Sequence, residues 1–278
     1  MNKRALYAVL SFILWSVPQA ATAQNPVPTS QPSVLVVFRE EVKYGHNTEH
    51  ESVEAGWPAA FAKAKSPNTY IAITSMTGTN EAWFLSPYAN WKALGDEMKM
   101  QGSDATLSAE LARLSKADAE HVNNGRTLHL LGRADLSAGT FPSIAKARFY
   151  EVTILRVRPG HEREFEGLAK VIQTAYNKAA PDVSYRIYQV VAGAPGPTYM
   201  IFSSVPTLGD LDKMQATDAA MMTALSQQDM SALQKFSAEG LINAETQRFA
   251  VNGRMSYVDD ATANQDLSFW RPGIKASK

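Results

Sequence analysis

Cysteine is absent from the 278 residues. That excludes disulfides, thiol nucleophiles and cysteine-ligated metal or iron–sulfur centres, so a packed core has to hold the fold alone. An excess of charge of either sign is also missing, with 27 Lys and Arg against 27 Asp and Glu. A balanced chain without a basic block offers no electrostatic footprint for nucleic acid. Beyond the first 15 residues no stretch approaches the roughly 20 apolar residues that span a bilayer. Specific catalytic signatures are lacking as well. There is no G-x-S-x-G, P-loop or G-x-G-x-x-G, and Gly193 and Gly196 lie in a proline-rich turn rather than ahead of a helix.

What is present begins with a processing signal. Lys3 and Arg4 precede an apolar run over 5–15, Pro18 interrupts it, and Ala21-Thr22-Ala23 places small residues at a cleavage site. Residues 1–23 read as a signal peptide and Gln24 as the mature start. The expected location is the periplasm or the exterior, without membrane attachment after cleavage. Residues 24–32, with Pro26, Pro28 and Pro32, read as an extended Pro/Ser-rich tether.

The remainder contains one pattern twice. Gly45-His46 recurs as Gly160-His161 at an offset of 115, where Tyr70 also meets Tyr185 and Gly78 meets Gly193. The offset grows to 117 at Leu94 and Leu211, where Trp91 meets Leu208, and to 119 at Asn124 and Asn243. Each copy opens on an apolar, β-branched run, 33–42 and 149–158. A helical stripe follows: His50, Val53, Trp57, Ala60 and Ala64 in the first copy, Phe165, Leu168, Ile172, Ala175 and Ala179 in the second. Pro58 should kink or split the first of these helices. Two strands, a helical region broken near Gly102 or Ala216, and a last strand complete each copy.

The order β-α-β-β-α-β, read twice, is the ferredoxin-like motif. It divides the chain into units at 33–140 and 141–258, followed by a polar tail at 259–278. One such unit covers a single sheet face with helices, and two in one chain can bury the other faces sheet to sheet. With that order, the passage RPGHEREFE at 158–166 and the passage MIFSSVPTLGDL at 200–211, the chain resembles the dimeric α/β-barrel superfamily as a tandem fusion. It is most similar to the antibiotic-biosynthesis-monooxygenase-like and NIPSNAP-like families. The resemblance implies an α+β fold, two ferredoxin-like units forming an intrachain barrel. Members include cofactor-free oxygenases, haem-handling enzymes, small lyases and proteins without a known reaction, so no single activity is implied.

Residues 46–50 spell H-x-x-E-H, the spacing of one zinc-protease class. The second copy is an internal control: His46 matches His161, but His50 matches Phe165 on the apolar stripe. A catalytic zinc needs both histidines on one formed helix and a third ligand, whereas this motif straddles a helix start. It reads as a capped start, with Asn47 or Thr48 as N-cap, Thr48 and Glu51 as a capping box, and Glu49 against the helix dipole. His46 and His50 are the metal-ligand candidates, and no metal or cofactor is required.

Strand alternation turns Tyr150, Val152 and Ile154 toward the helices and Glu151 and Thr153 toward the other sheet. Charges well inside strands must be paired or solvated, so Glu151, Arg186, Tyr188, Arg248 and His129 are candidates to line a ligand pocket. A salt-bridge network between the sheets and solvated strand ends are the alternatives. His129 and His50 are the catalytic candidates. Phe269-Trp270, the apolar pair of the tail, should dock on the barrel or a neighbour. The leading reading is a binder of a small, partly apolar molecule, with catalysis left open and a non-enzyme favoured. A cofactor-independent oxygenase or haem-related enzyme, and an interaction module with a solid interior, are the alternatives.

Protein purified from the exporting host should begin at Gln24. An intact mass that retains residues 1–23 would overturn the export reading.

Overall fold

The structure, a computed structural model, describes residues 24–272. Residues 1–23, expected to be a signal peptide, lie outside the described residues, as do residues 273–278. The first half of the chain runs β1 (Val34–Val42), α1 (Asn47–Glu54), α2 (Gly56–Ala64), β2 (Tyr70–Ser75), β3 (Glu81–Tyr88), α3 (Trp91–Ser103), α4 (Ala105–Asp118) and β4 (Val122–Gly132). The second half runs β5 (Phe149–Val157), α5 (Glu162–Ala179), β6 (Arg186–Ala192), β7 (Thr198–Val205), α6 (Asp210–Ala224), α7 (Gln227–Glu239) and β8 (Leu241–Tyr257). Two short helices, α8 (Asp260–Ala263) and α9 (Leu267–Trp270), follow. The strands close into one antiparallel barrel in the order β1-β3-β2-β8-β5-β7-β6-β4. None of the described helices is long and apolar enough to cross a membrane.

Local chemistry explains where the helices start and stop. Pro58 has no N–H to donate to the Glu54 carbonyl and its ring crowds that oxygen, so α1 and α2 part at Ala55. Helix α5, without proline, runs unbroken. Gly45 and Gly160 sit at φ 84° and 95°, a region glycine enters without strain, and each turns the chain into a helix whose N-cap is the following histidine. The expected Asn47 or Thr48 cap is not formed, and neither histidine supplies a side-chain cap. Glu51 instead accepts hydrogen bonds from Asn252 and Arg254 of β8. The second helical region breaks at Leu225 rather than near Ala216. There Ser226 and Asp229 form a reciprocal capping box that starts α7 anew.

Every strand sends two side chains inward, among them Leu35 and Val37, Trp83 and Leu85, Tyr150 and Val152, and Phe249 and Val251. Val37, Ile73, Trp83, Leu130, Val152 and Phe249 are wholly inaccessible to water. One end of this core is closed by Arg39, whose guanidinium spans both oxygens of Glu81 at 2.8 Å and lies 4.2 Å over the Trp83 ring. The other end is closed by the segments that flank the strand ring. The segment 24–32 is extended as expected, but it is docked rather than free: Val27 N–H donates to Asp259 at 2.8 Å, and Asn25 N–H to the Pro67 carbonyl. Trp270 is buried in the same core with its indole N–H on the Ala145 carbonyl, and Phe269 stacks under Arg148 at 3.8 Å. Gly253 lies so close to the Phe269 carbonyl that a Cβ would collide with it. The tail therefore docks on its own barrel.

The halves meet along two seams, β2 with β8 and β4 with β6. Separating them would open both seams and wet the inward side chains, each worth about 1.5–3 kcal/mol when buried. Neither 24–140 nor 141–278 should fold alone as a stable monomer; insolubility or rebuilt dimers are expected. Two soluble monomeric halves, each with its own cooperative melt, would refute this.

Candidate functional site

The structure reverses the faces expected for β5. Tyr150 and Val152 point into the barrel, because a closed interior is the more demanding apolar environment, and Glu151 and Thr153 point outward under the helices. The candidate residues fall in three places. Glu151 and Arg248 are partners across the β5–β8 ladder, with Arg248 Nε donating to Glu151 Oε2 at 2.9 Å. Arg186 and Tyr188 face inward at the end closed by Val27 and Phe141, around a cavity of about 70 Å³. The Arg186 guanidinium is already taken by the carbonyls of Ala138, Tyr185 and Gly139, and that space is far below the roughly 300 Å³ of small ligand pockets. His129 stands alone on the outer face of β4, its ring 5.5 Å from that of Trp91.

A larger cleft, about 350 Å³, lies between the outer face of β5–β7 and helices α5–α7. Its walls are apolar: Leu155, Phe165, Leu168, Ile172, Ile201 and Met221. Glu151, Tyr176, Tyr185, Ser203 and Asp218 place polar atoms among them. Tyr176 donates to Asp218 at 2.5 Å. Burial, and then this bond, raises the Tyr176 phenol, while burial pushes the Tyr185 phenol up to about 12. Both are therefore neutral donors. The Tyr185 hydroxyl is buried on the cleft wall without a hydrogen-bond partner. A buried hydroxyl left unpaired costs about 1–3 kcal/mol, which a ligand acceptor in the cleft recovers once the ring turns that oxygen toward it. No spacing signal singles out Tyr176 or Asp218, and Tyr185 is marked in the sequence only as the counterpart of Tyr70.

The H-x-x-E-H residues do not converge. Glu49 is exposed, and His46 turns to His121 with Nδ1 atoms 3.0 Å apart. His50 is buried, as its stripe position implies, but among carboxylates. Its Nε2 lies 3.0 Å from Glu40 Oε2 and 3.6 Å from Asp118 Oδ1, with Glu54 one turn along the same helix. Burial, then the charges of Glu40 and Asp118, pushes the Glu54 carboxyl up to about 9, and burial likewise raises Asp118. Comparing the halves position by position marks Glu40 and Glu54, which stand opposite Leu155 and Ala169.

The Glu151–Arg248 pair is partly solvated, with side chains 21% and 42% exposed. Pairs of that kind are worth about 0–1 kcal/mol. Glu151→Gln should therefore change stability by less than about 1 kcal/mol in chemical denaturation. A loss of about 3 kcal/mol or more would make the pair a structural element rather than part of a binding wall.

No protein-family model matches the chain, nor does any curated protein sequence. Solved structures do resemble it. A candidate monooxygenase of Fusobacterium nucleatum superposes with a TM-score of 0.54 at 12% identity, over 80% of this chain and 93% of its own. An anthrone oxidase-like protein gives 0.52 at 9%, over 81% and 93%. A chlorite dismutase of Candidatus Nitrospira defluvii gives 0.48 at 9%, over 81% and 93%. At such identities the likeness is one of fold alone, a mixed α/β architecture built on an eight-stranded antiparallel barrel.

Proposed function

We propose that the protein is an exported, internally duplicated α/β-barrel protein that binds a small, partly apolar molecule in the cleft between β5–β7 and helices α5–α7. Two ferredoxin-like units are supported by the shared strand order, 4-1-3-2 in the first half and 8-5-7-6 in the second. Export to the periplasm or beyond rests on the signal pattern of residues 1–23. Neutral overall charge supports a partner other than nucleic acid.

The observation that carries the binding reading is the unpartnered Tyr185 hydroxyl on an apolar wall. Ligand pockets combine mostly hydrocarbon lining with a few placed polar groups, and Tyr185, the Tyr176–Asp218 pair and Glu151 supply them. A ligand with an apolar body and one hydrogen-bond acceptor matches this set. Catalysis is not part of the proposal. His129 and His50, on which an oxygenase or haem-linked reaction would draw, are not among the residues lining the cleft. The packed interior supports a module without a pocket only for the inside of the barrel.

Native mass spectrometry of protein from the exporting host should show a bound small molecule that organic solvent releases. Ile172→Trp, which fills the cleft from a half-buried position, should abolish it. Tyr185→Phe should weaken rebinding of the extract about 2–10-fold, the worth of one neutral hydrogen bond. No bound molecule, together with no binding of an anilinonaphthalene sulfonate probe that Ile172→Trp removes, would overturn the proposal. A Soret band would favour the haem reading instead.

A further inference from the structure

We propose that Glu40, His50, Glu54 and Asp118 form a binding site for one divalent first-row cation, Mn2+, Fe2+ or Zn2+. The site is separate from the cleft and stands without it. Glu40 comes from the outer face of β1, His50 and Glu54 are one turn apart on α1, and Asp118 is the last residue of α4. Two consecutive elements, β1 and α1, and the distant α4 thus bring one imidazole and three carboxylates to a point. One donor atom from each residue lies within 4.8 Å of all the others. Donors bound to one such ion at about 2.0–2.2 Å sit about 3.3–3.6 Å apart around a tetrahedral centre and up to about 4.4 Å apart when opposite each other in an octahedral one, so the set closes on a single cation by contracting.

All four side chains are removed from solvent, with residue exposures of 6%, 2%, 4% and 4%. Asp118 points its Oδ1 into the group and has no hydrogen-bond partner there. Among the described residues no Arg or Lys forms an ion pair with any of the three carboxylates; His50 is the one ionic partner of Glu40 and Asp118. A single imidazole cannot pair with three carboxylates, so the set stays buried only with some of them held as neutral acids or with a cation among them.

The other half of the chain shows that the scaffold does not require these groups. Leu155 occupies on β5 the register position of Glu40, paired to β7 and β8 as Glu40 is to β3 and β4. Phe165 stands for His50 and Ala169 for Glu54, and Phe236 in the last turn of α7 lies against Phe165 with ring centroids 6.2 Å apart. Hydrocarbon holds that corner in one half, so a polar set in the other is there for something besides packing. Ala82, where the second half has Tyr199, keeps a ring out of the space. The donor chemistry narrows the ion. Calcium and magnesium sites are built from oxygen alone, whereas imidazole suits iron and zinc and carboxylate suits manganese.

The test is direct. Purified protein stripped with a chelator is titrated with Mn2+, Fe2+ under argon, Zn2+ and Ca2+, followed by calorimetry and elemental analysis. One equivalent of Mn2+, Fe2+ or Zn2+ should bind and raise the melting temperature, and Ca2+ should bind far more weakly. Asp118→Asn and Glu54→Gln should each weaken binding by more than the roughly 10–100-fold that loss of an outer-sphere partner costs. A variant carrying Glu40→Leu, His50→Phe, Glu54→Ala and Asp118→Leu, which gives this corner the apolar character of its counterpart in the second half, should fold without binding. If it fails to fold, the two single variants, nearly isosteric with the parent, decide the matter. A stripped protein that melts cooperatively and takes up none of the three ions at millimolar concentration would overturn the proposal. So would binding that survives both single variants and is lost on His46→Ala or His121→Ala.

Discussion

Trp83 and Phe249 meet inside the barrel with ring centroids 4.5 Å apart, and they come from opposite halves of the chain. Around them the inward residues of all eight strands form one apolar mass. A chain without cysteine has no covalent substitute for this contact. The indole N–H of Trp83 donates to Glu81, and Glu81 in turn holds Arg39 over the indole ring. The same aromatic pair thus anchors the polar closure at one barrel end. Everything outside the barrel, cleft and carboxylate cluster alike, is positioned by strands whose register this interior sets.

The two halves share a plan and use it differently. In the second, α5–α7 stand over β5–β7 with a cleft between them, walled by hydrocarbon and marked by phenols. In the first, Pro58 splits the equivalent of α5, and the corner beneath is polar. Two halves built on one strand order allow this, since one can keep the packing solution while the other departs from it. Burying three carboxylates beside one imidazole carries a large desolvation penalty, so the departure calls for a compensating ligand or a protonation that the apolar half never needs.

The architecture was legible because it is written in long periods: strand runs, helical stripes and an offset that grows from 115 to 119 across the chain. The Pro58 split and the docking of Phe269-Trp270 followed from single-residue chemistry. Faces were harder. Tyr150 and Val152 are apolar enough for either side of a sheet, and only closure of the barrel decides that they go inward. The break at Leu225 is hard to see in advance because the Ser226–Asp229 box is a local signal inside an otherwise helical run. The cleft depends on how far α6 stands from the sheet, and nothing in a pattern of residues encodes that distance. The carboxylate cluster joins positions 40, 50, 54 and 118, which no spacing motif connects.

The hydrogen bond from Val27 to Asp259 ties the segment that precedes β1 to the one that follows β8 at one pole of the barrel. A ring of strands has no intrinsic beginning, and here the two flanking segments already lie side by side. Circular permutation is therefore open to this protein: joined there and cut in the connection between β4 and β5, the same sequence would present its second half first and still close the same ring. Which half leads is then a matter of how the chain is synthesised, and not of how the barrel is held together.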